Sequence, residues 1–165
     1  MKVMSLAVLI SGQGTNLQAL IKAIDAKKLS ATIRLVVSNN PNALGLKWAE
    51  HAGLDTAIVD HRDAEDREAF DRQLIDVIQP YGVDYIVLAG FMRRLTPFFV
   101  RKFEHRILNI HPSLLPRYPG LHTHERVLAA GDAEHGCSVH YVVDELDAGP
   151  VIASARLRVQ PADTP

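Results

Sequence analysis

At 165 residues the chain suits one domain with a sizeable core. Hydrophobic residues make up 47% and charged residues 22%, and eighteen Lys and Arg nearly balance nineteen Asp and Glu. The net charge of -1 removes any compositional argument for nucleic acid or an anionic membrane as the main partner, so an anion would have to be bound locally. Cys137 is the only cysteine, which excludes an internal disulfide and points to a reducing, cytoplasmic setting. No apolar stretch approaches the ~20 residues of a membrane span.

The first element is a short apolar strand, Ser5 to Ser11, without alternation, as expected of a strand buried on both faces of a parallel sheet. It runs into Gly12-Gln13-Gly14-Thr15-Asn16, after which Leu17, Leu20, Ile21 and Ile24 recur at helical spacing. Thr15 or Asn16 is the expected cap of that helix. The unit then repeats. Thr32 to Ser38 is a β-branched strand ending in Asn39-Asn40-Pro41-Asn42, Ala43 to Ala52 a helix closed by Gly53, and Thr56 to Val59 a weak strand. A helix follows from about Ala64 to Gln79, stopped by Pro80 and Gly82.

Tyr85 to Ala89 is the clearest strand and ends in Gly90-Phe91-Met92-Arg93-Arg94-Leu95. Thr96-Pro97 opens another helix, with the hydroxyl as expected N-cap and proline at the first helical position. Arg106 to Ile110 is the next strand, carrying Asn109 and His111 at its carboxyl end. Pro112 to His124, with three prolines and one glycine, reads as an ordered loop, followed by a short helix over Glu125 to Ala130. Gly136 to Val143 is a strand, Asp144 to Pro150 a turn, and Val151 to Val159 a last strand. Alternating short apolar strands and amphipathic helices predict an α/β fold, a doubly wound, mostly parallel sheet with helices on both faces. In such folds ligands bind beyond the carboxyl ends of the strands.

Several constellations at those ends carry chemistry. Asn109 and His111, two residues apart in extended chain, point to the same side and aim a neutral donor and a titratable group into one pocket, with Pro112 restricting His111 to extended conformations. As a bare pattern they also suit capped or solvated polar groups. Gly12 to Asn16 sits where a strand meets a helix, so free backbone N-H groups and the helix dipole favour an anion; position 17 is Leu and no P-loop lysine follows, so a monophosphate fits better than NAD or ATP, and a tight structural turn remains the alternative. The Phe91 to Leu95 loop reads either as a solvated loop or as a slot for a flat heterocycle, and Arg67 as one more arginine of a charged helix. His122, His124, His135 and His140 raise the question of a metal, but no carboxylate or cysteine stands at recurring ligand spacing, so no metal is expected. Asp147, in the turn before Gly149-Pro150, could return to the strand ends, where pairing with His111 would favour the imidazolium and orient the ring; composition does not show that pairing.

Four stretches together resemble the phosphoribosylglycinamide formyltransferase family, the folate-dependent formyl transfer enzymes of purine biosynthesis, over essentially the whole length. They are Leu9 to Leu17, Val87 to Arg93, Leu108 to His124, and His135 to His140 with Asp144 to Asp147. The resemblance implies transfer of the formyl group of 10-formyltetrahydrofolate, as co-substrate and without a metal, to the amine of glycinamide ribonucleotide. It implies Asn109, His111 and Asp147 as the catalytic group and Gly14, Thr15 and Asn16 as the cradle of the ribose 5-phosphate. Arg67, Met92, Arg93, Arg94, Leu95, Asn109, Val143, Asp144, Glu145, Leu146 and Asp147 are implied to line the folate site. Partners are then small-molecule substrates, with a monomer or homodimer as the assembly. The family continues past the position of Pro165 through a loop and a long C-terminal helix that supplies a lysine and an acid to the ribonucleotide site. Residues 1–165 are therefore expected to form a single formyltransferase domain that is C-terminally shortened and lacks that helix. Relatives using the same donor, a formyltetrahydrofolate hydrolase or a methionyl-tRNA formyltransferase, share an Asn-x-His and a late Asp and are the alternatives, with a non-catalytic folate- or phosphate-binding module as a third.

Overall fold

Val8, Leu9 and Ile10 have no solvent-accessible face, and their strand β1 (Met4–Ile10) runs in the middle of parallel neighbours in the computed structural model, which describes residues 2–165. β2 (Ala31–Ser38) pairs with one edge of β1 and β4 (Tyr85–Leu88) with the other, while β3 (Thr56–Ile58) pairs with β2, all in parallel register. The order β3-β2-β1-β4 explains the continuous apolar runs, because a central parallel strand covered on both faces has no polar side to present. It also creates a switch point: the chain leaves β1 toward β2 and β3, then returns to the opposite edge as β4. Ligands in open α/β sheets bind at such a point, outside the carboxyl ends of the diverging strands.

Helices α1 (Thr15–Asp25), α2 (Leu44–His51), α3 (Arg67–Ile78) and α4 (Pro97–Lys102) connect these strands, with a 3-10 turn at Gln79–Tyr81. At three helix starts the capping or the boundary differs from expectation, each for a local reason. α1 is capped by neither Thr15 nor Asn16; Gly14 occupies the cap in left-handed conformation with no side-chain hydrogen bond. α3 begins at Arg67, not Ala64, because Asp66 accepts a hydrogen bond from the Ala69 N-H at 2.7 Å and so takes the N-cap role. Thr96 precedes α4 as expected, but its hydroxyl does not cap the helix; it donates to Asp71 Oδ2 at 2.6 Å.

Two compact units divide the chain after Ile107. The second, Leu108–Pro165, is antiparallel. β5 (Ile107–His111) pairs with β6 (Glu134–Tyr141) so that Asn109 lies opposite His140 and His111 opposite Ser138, and β6 pairs in turn with β7 (Val151–Arg158). β5 is displaced by one residue from the expected Arg106 to Ile110, which makes His111 its last member, and α5 spans Thr123–Ala130, starting two residues before expectation. Ser138 and His140 are buried on alternate positions of β6, whereas every residue of β7 is exposed.

Candidate active site

The second unit gathers a polar cluster at the end of β5. His111 is 5% exposed, and its Nε2 lies 3.0 Å from the Tyr118 carbonyl oxygen. A carbonyl can only accept, so Nε2 carries a hydrogen. The opposite ring nitrogen, Nδ1, faces Asp147 Oδ2 at 3.5 Å, an ion-pair distance. The two ring nitrogens thus face different acceptors, a main-chain carbonyl at Nε2 and a carboxylate at Nδ1. Asp147 is itself nearly buried, its side chain 7% exposed, and Oδ2 also accepts from the Gly120 N-H at 2.8 Å. The residue sits at φ +52°, a left-handed conformation that aspartate adopts more readily than most side chains. Tyr118 and His122, in the loop after β5, share that unusual backbone region, at φ 54° and 56°.

His140 completes the cluster. It is 2% exposed, and its Nδ1 lies 2.9 Å from the Tyr141 carbonyl, which places a hydrogen on Nδ1. Nε2 is then the acceptor for the Asn109 Nδ2-H at 3.1 Å, and Asp147 Oδ1 lies 3.6 Å from the same nitrogen. An amide group has two N-H bonds, so His140 engages one and leaves the other available to a ligand. Asn109, His111 and Asp147 are thus brought together, with His140 as a fourth member that sequence reading considered only as a metal ligand. Spacing alone does not single it out: Ser138 and His140 stand two apart on a strand and so share one face, but that alternation suits a solvent-facing row as well as an inward one.

The first unit carries a separate feature. A cavity of about 230 Å³ opens at the switch point, lined by Ser11 through Asn16 from the β1–α1 turn and by Ala89, Gly90 and Met92 after β4. It holds Gly14, Thr15 and Asn16, at the amino end of an 11-residue helix whose first N-H groups lack helical partners. Glycine is required at two places. Gly14 has φ +75°, and a Cβ there would lie 2.6 Å from Gly45 Cα; a Cβ on Gly45 would lie 2.5 Å from Ile10 Cδ1. The Gly45 N-H donates to the Gly12 carbonyl at 3.0 Å, so α2 braces the turn from behind. Ser11 adds a second brace, donating to Asn39 Oδ1 at 2.5 Å and accepting from the Met92 N-H at 2.7 Å.

Of the other residues implied to line a folate site, Arg67 donates from Nη2 to the Arg94 carbonyl at 3.0 Å. Met92, Arg93 and Arg94 are exposed and Leu95 is buried. Val143, Asp144, Glu145 and Leu146 are exposed in the second unit. The histidines considered for a metal meet differently: His124 Nδ1 and His135 Nε2 are 2.8 Å apart, a histidine pair, and burial pushes the His135 pKa down with His124 adding to it. Among the described residues no group of three or more His, Cys, Asp or Glu side chains is placed to hold a metal ion, and no helix is long and apolar enough to cross a membrane.

Comparison with known proteins defines the class. The family model described as formyl transferase matches residues 4–165, and the chain belongs to that family. The chain is 53% identical over 161 residues to the phosphoribosylglycinamide formyltransferase of Escherichia coli K12, covering 98% of this chain and 76% of that one. The solved structure of the phosphoribosylglycinamide formyltransferase of Coxiella burnetii superposes with a TM-score of 0.93 at 53% identity, covering 99% of this chain and 76% of that one. Glycinamide ribonucleotide transformylase 1 of Symbiobacterium toebii gives a TM-score of 0.95 at 41% identity, over 98% and 76% of the two chains. The fold is the mostly parallel α/β fold of those structures.

Proposed function

We propose that this chain transfers the formyl group of 10-formyltetrahydrofolate to the amine of glycinamide ribonucleotide. The observation that carries the reading is the buried cluster of Asn109, His111, Asp147 and His140, whose donors and proton-bearing groups suit an acyl transfer. The uncharged amine attacks the formyl carbon, a C-N bond forms, and the carbonyl electrons move to oxygen. Hydrogen-bond donors aimed at such a developing oxyanion are worth roughly 3 to 4 kcal/mol each. Asn109 supplies its free N-H, oriented by the bond from its other N-H to His140. His111 supplies Nε2-H, which exchanges the Tyr118 carbonyl for a more negative acceptor, with Asp147 steadying the doubly protonated ring.

Collapse of the tetrahedral species breaks the bond to the folate nitrogen, which takes the Nε2 proton of His111, and the proton lost by the attacking amine then restores the ring. Gly14, Thr15 and Asn16 bind the ribose 5-phosphate of the acceptor through main-chain N-H groups. Arg67 and the Met92 to Leu95 loop, with Val143 to Asp147, serve the folate. No metal takes part in this scheme, since the formyl group arrives activated on its carrier.

Incubation with 10-formyltetrahydrofolate, with and without glycinamide ribonucleotide, tests the proposal. Formylated ribonucleotide and tetrahydrofolate in equal amounts are expected. Formate release without the ribonucleotide would replace the reading by a hydrolase, and folate binding without turnover would replace it by a binding module.

A further inference from the structure

Three contacts run from one face of α3 to the loop that follows β4. Arg67 donates to the Arg94 carbonyl, Phe70 stacks on Phe91 with ring centroids 6.4 Å apart and planes 11° from parallel, and Asp71 Oδ2 accepts from both the N-H and the hydroxyl of Thr96 at 2.6 Å each. Positions 67, 70 and 71 share a face through the i, i+3, i+4 geometry of a helix. Phe91 and Thr96 immediately flank Met92 to Leu95, so α3 fastens that loop at both ends and once within.

Asp71 is the unusual member. It is fully buried, and its Oδ1 has no hydrogen-bond partner among the described residues. A buried carboxyl group with an unsatisfied oxygen is unfavourable for stability, and burial accordingly pushes its pKa up, against the opposing influence of the Thr96 bonds. Nothing in the proposed chemistry uses it.

We infer that Asp71 is a positioning residue for the co-substrate loop: by tethering Thr96 it sets the conformation in which Met92 to Leu95 receives the folate. This inference rests on the assignment of that loop to the folate under Proposed function. The two bonds to Thr96 turn its hydroxyl toward α3, and that hydroxyl makes no cap bond to α4.

The test compares Asp71→Ala, Asp71→Asn and Thr96→Val by steady-state kinetics in both substrates, together with equilibrium binding of tetrahydrofolate. Asp71→Ala is expected to raise KM for 10-formyltetrahydrofolate and weaken tetrahydrofolate binding by about tenfold or more, with KM for the ribonucleotide unchanged within about twofold. Asp71→Asn, whose carbonyl accepts both Thr96 bonds, is expected to restore folate affinity to within about threefold of wild type, and Thr96→Val to show a smaller loss of the same kind. An unchanged folate KM in Asp71→Ala, or equal rises in both KM values, would overturn the inference. Should Asp71→Ala fail to fold, Thr96→Val decides alone: a loss confined to the folate supports the tether and no loss refutes it. If the wild type binds tetrahydrofolate but transfers no formyl group, the functional proposal fails while the binding comparison still judges Asp71.

Discussion

The two regions that bear on chemistry are built from different materials. The cavity at the switch point of the first unit presents main chain: a glycine turn, the amino end of α1, and a brace from Gly45. The cluster of the second unit presents side chains, an amide, two imidazoles and a carboxylate, each fixed by a partner. The first is a shape that any residue with a larger side chain would spoil; the second is a set of titratable and donating groups that a change of functional group would spoil. On the proposed function, binding and turnover are thereby separable by mutation, and a single substitution that abolished both would break that separation.

His111→Ala gives the largest expected effect, a fall in kcat of about 10² to 10⁴ with ribonucleotide affinity nearly retained, read by steady-state kinetics and equilibrium binding. A parallel fall in affinity would erase the division between the regions. His140→Ala leaves Asn109 without its anchoring acceptor and is expected to lower kcat by about 10- to 100-fold with little change in either KM. Gly14→Ala should act on the other side of the division. Its Cβ meets Gly45 Cα and its φ is left-handed, so the turn is destabilised by at least ~1–2 kcal/mol and KM for the ribonucleotide rises by about tenfold or more. Thr15→Ala at the neighbouring position removes only a hydroxyl, and a change of a few fold is expected. If Thr15→Ala proved the more damaging of the two, the turn would be binding through side chains after all.

The smallest effect at neutral pH belongs to Asp84, which is a member of neither the cavity lining nor the cluster. It accepts from Lys2 Nζ at 2.7 Å and from the N-H and hydroxyl of Ser5 at 2.9 Å, and these bonds, that of Lys2 foremost, hold its pKa well below the usual carboxylate range. A folded-state pKa below the unfolded value gives stability that is present above about pH 4 and is lost as the pH falls. Thermal melts of Asp84→Asn against wild type should therefore differ most at neutral pH and converge in acid, while kcat and both KM values stay unchanged at pH 7. A difference that grew on acidification would contradict the assigned partners.

Much of this architecture is written in patterns that a chain displays directly. The apolar runs of β1 and β4 and the glycines between β1 and α1 are local signals, and Asn109 and His111 announce themselves by spacing. What escaped was decided by partners distant in sequence. Thr96 has the right identity and place for a cap, yet Asp71, 25 residues earlier, claims its hydroxyl. His140 matters because antiparallel pairing sets it opposite Asn109, a register that no spacing within β6 reveals. The Tyr118 carbonyl and the Gly120 N-H, which hold His111 and Asp147, are main-chain groups present in nearly every residue and so leave no trace in residue identity. The shifts at the starts of α3, α5 and β5 are of one to three residues and follow from caps and pairing that local propensity does not resolve.

The hydrogen bond from the Gly45 N-H to the Gly12 carbonyl has a practical consequence. Gly45 has no side chain and does not line the cavity, yet its amide can exchange with solvent deuterium only when α2 lifts from the turn or the turn itself opens. A ligand that rigidifies Gly12 to Asn16 suppresses that opening. The exchange rate of one amide in the first turn of α2 is thus a built-in gauge of occupancy, legible by mass spectrometry or NMR without a chromophore or a turnover event.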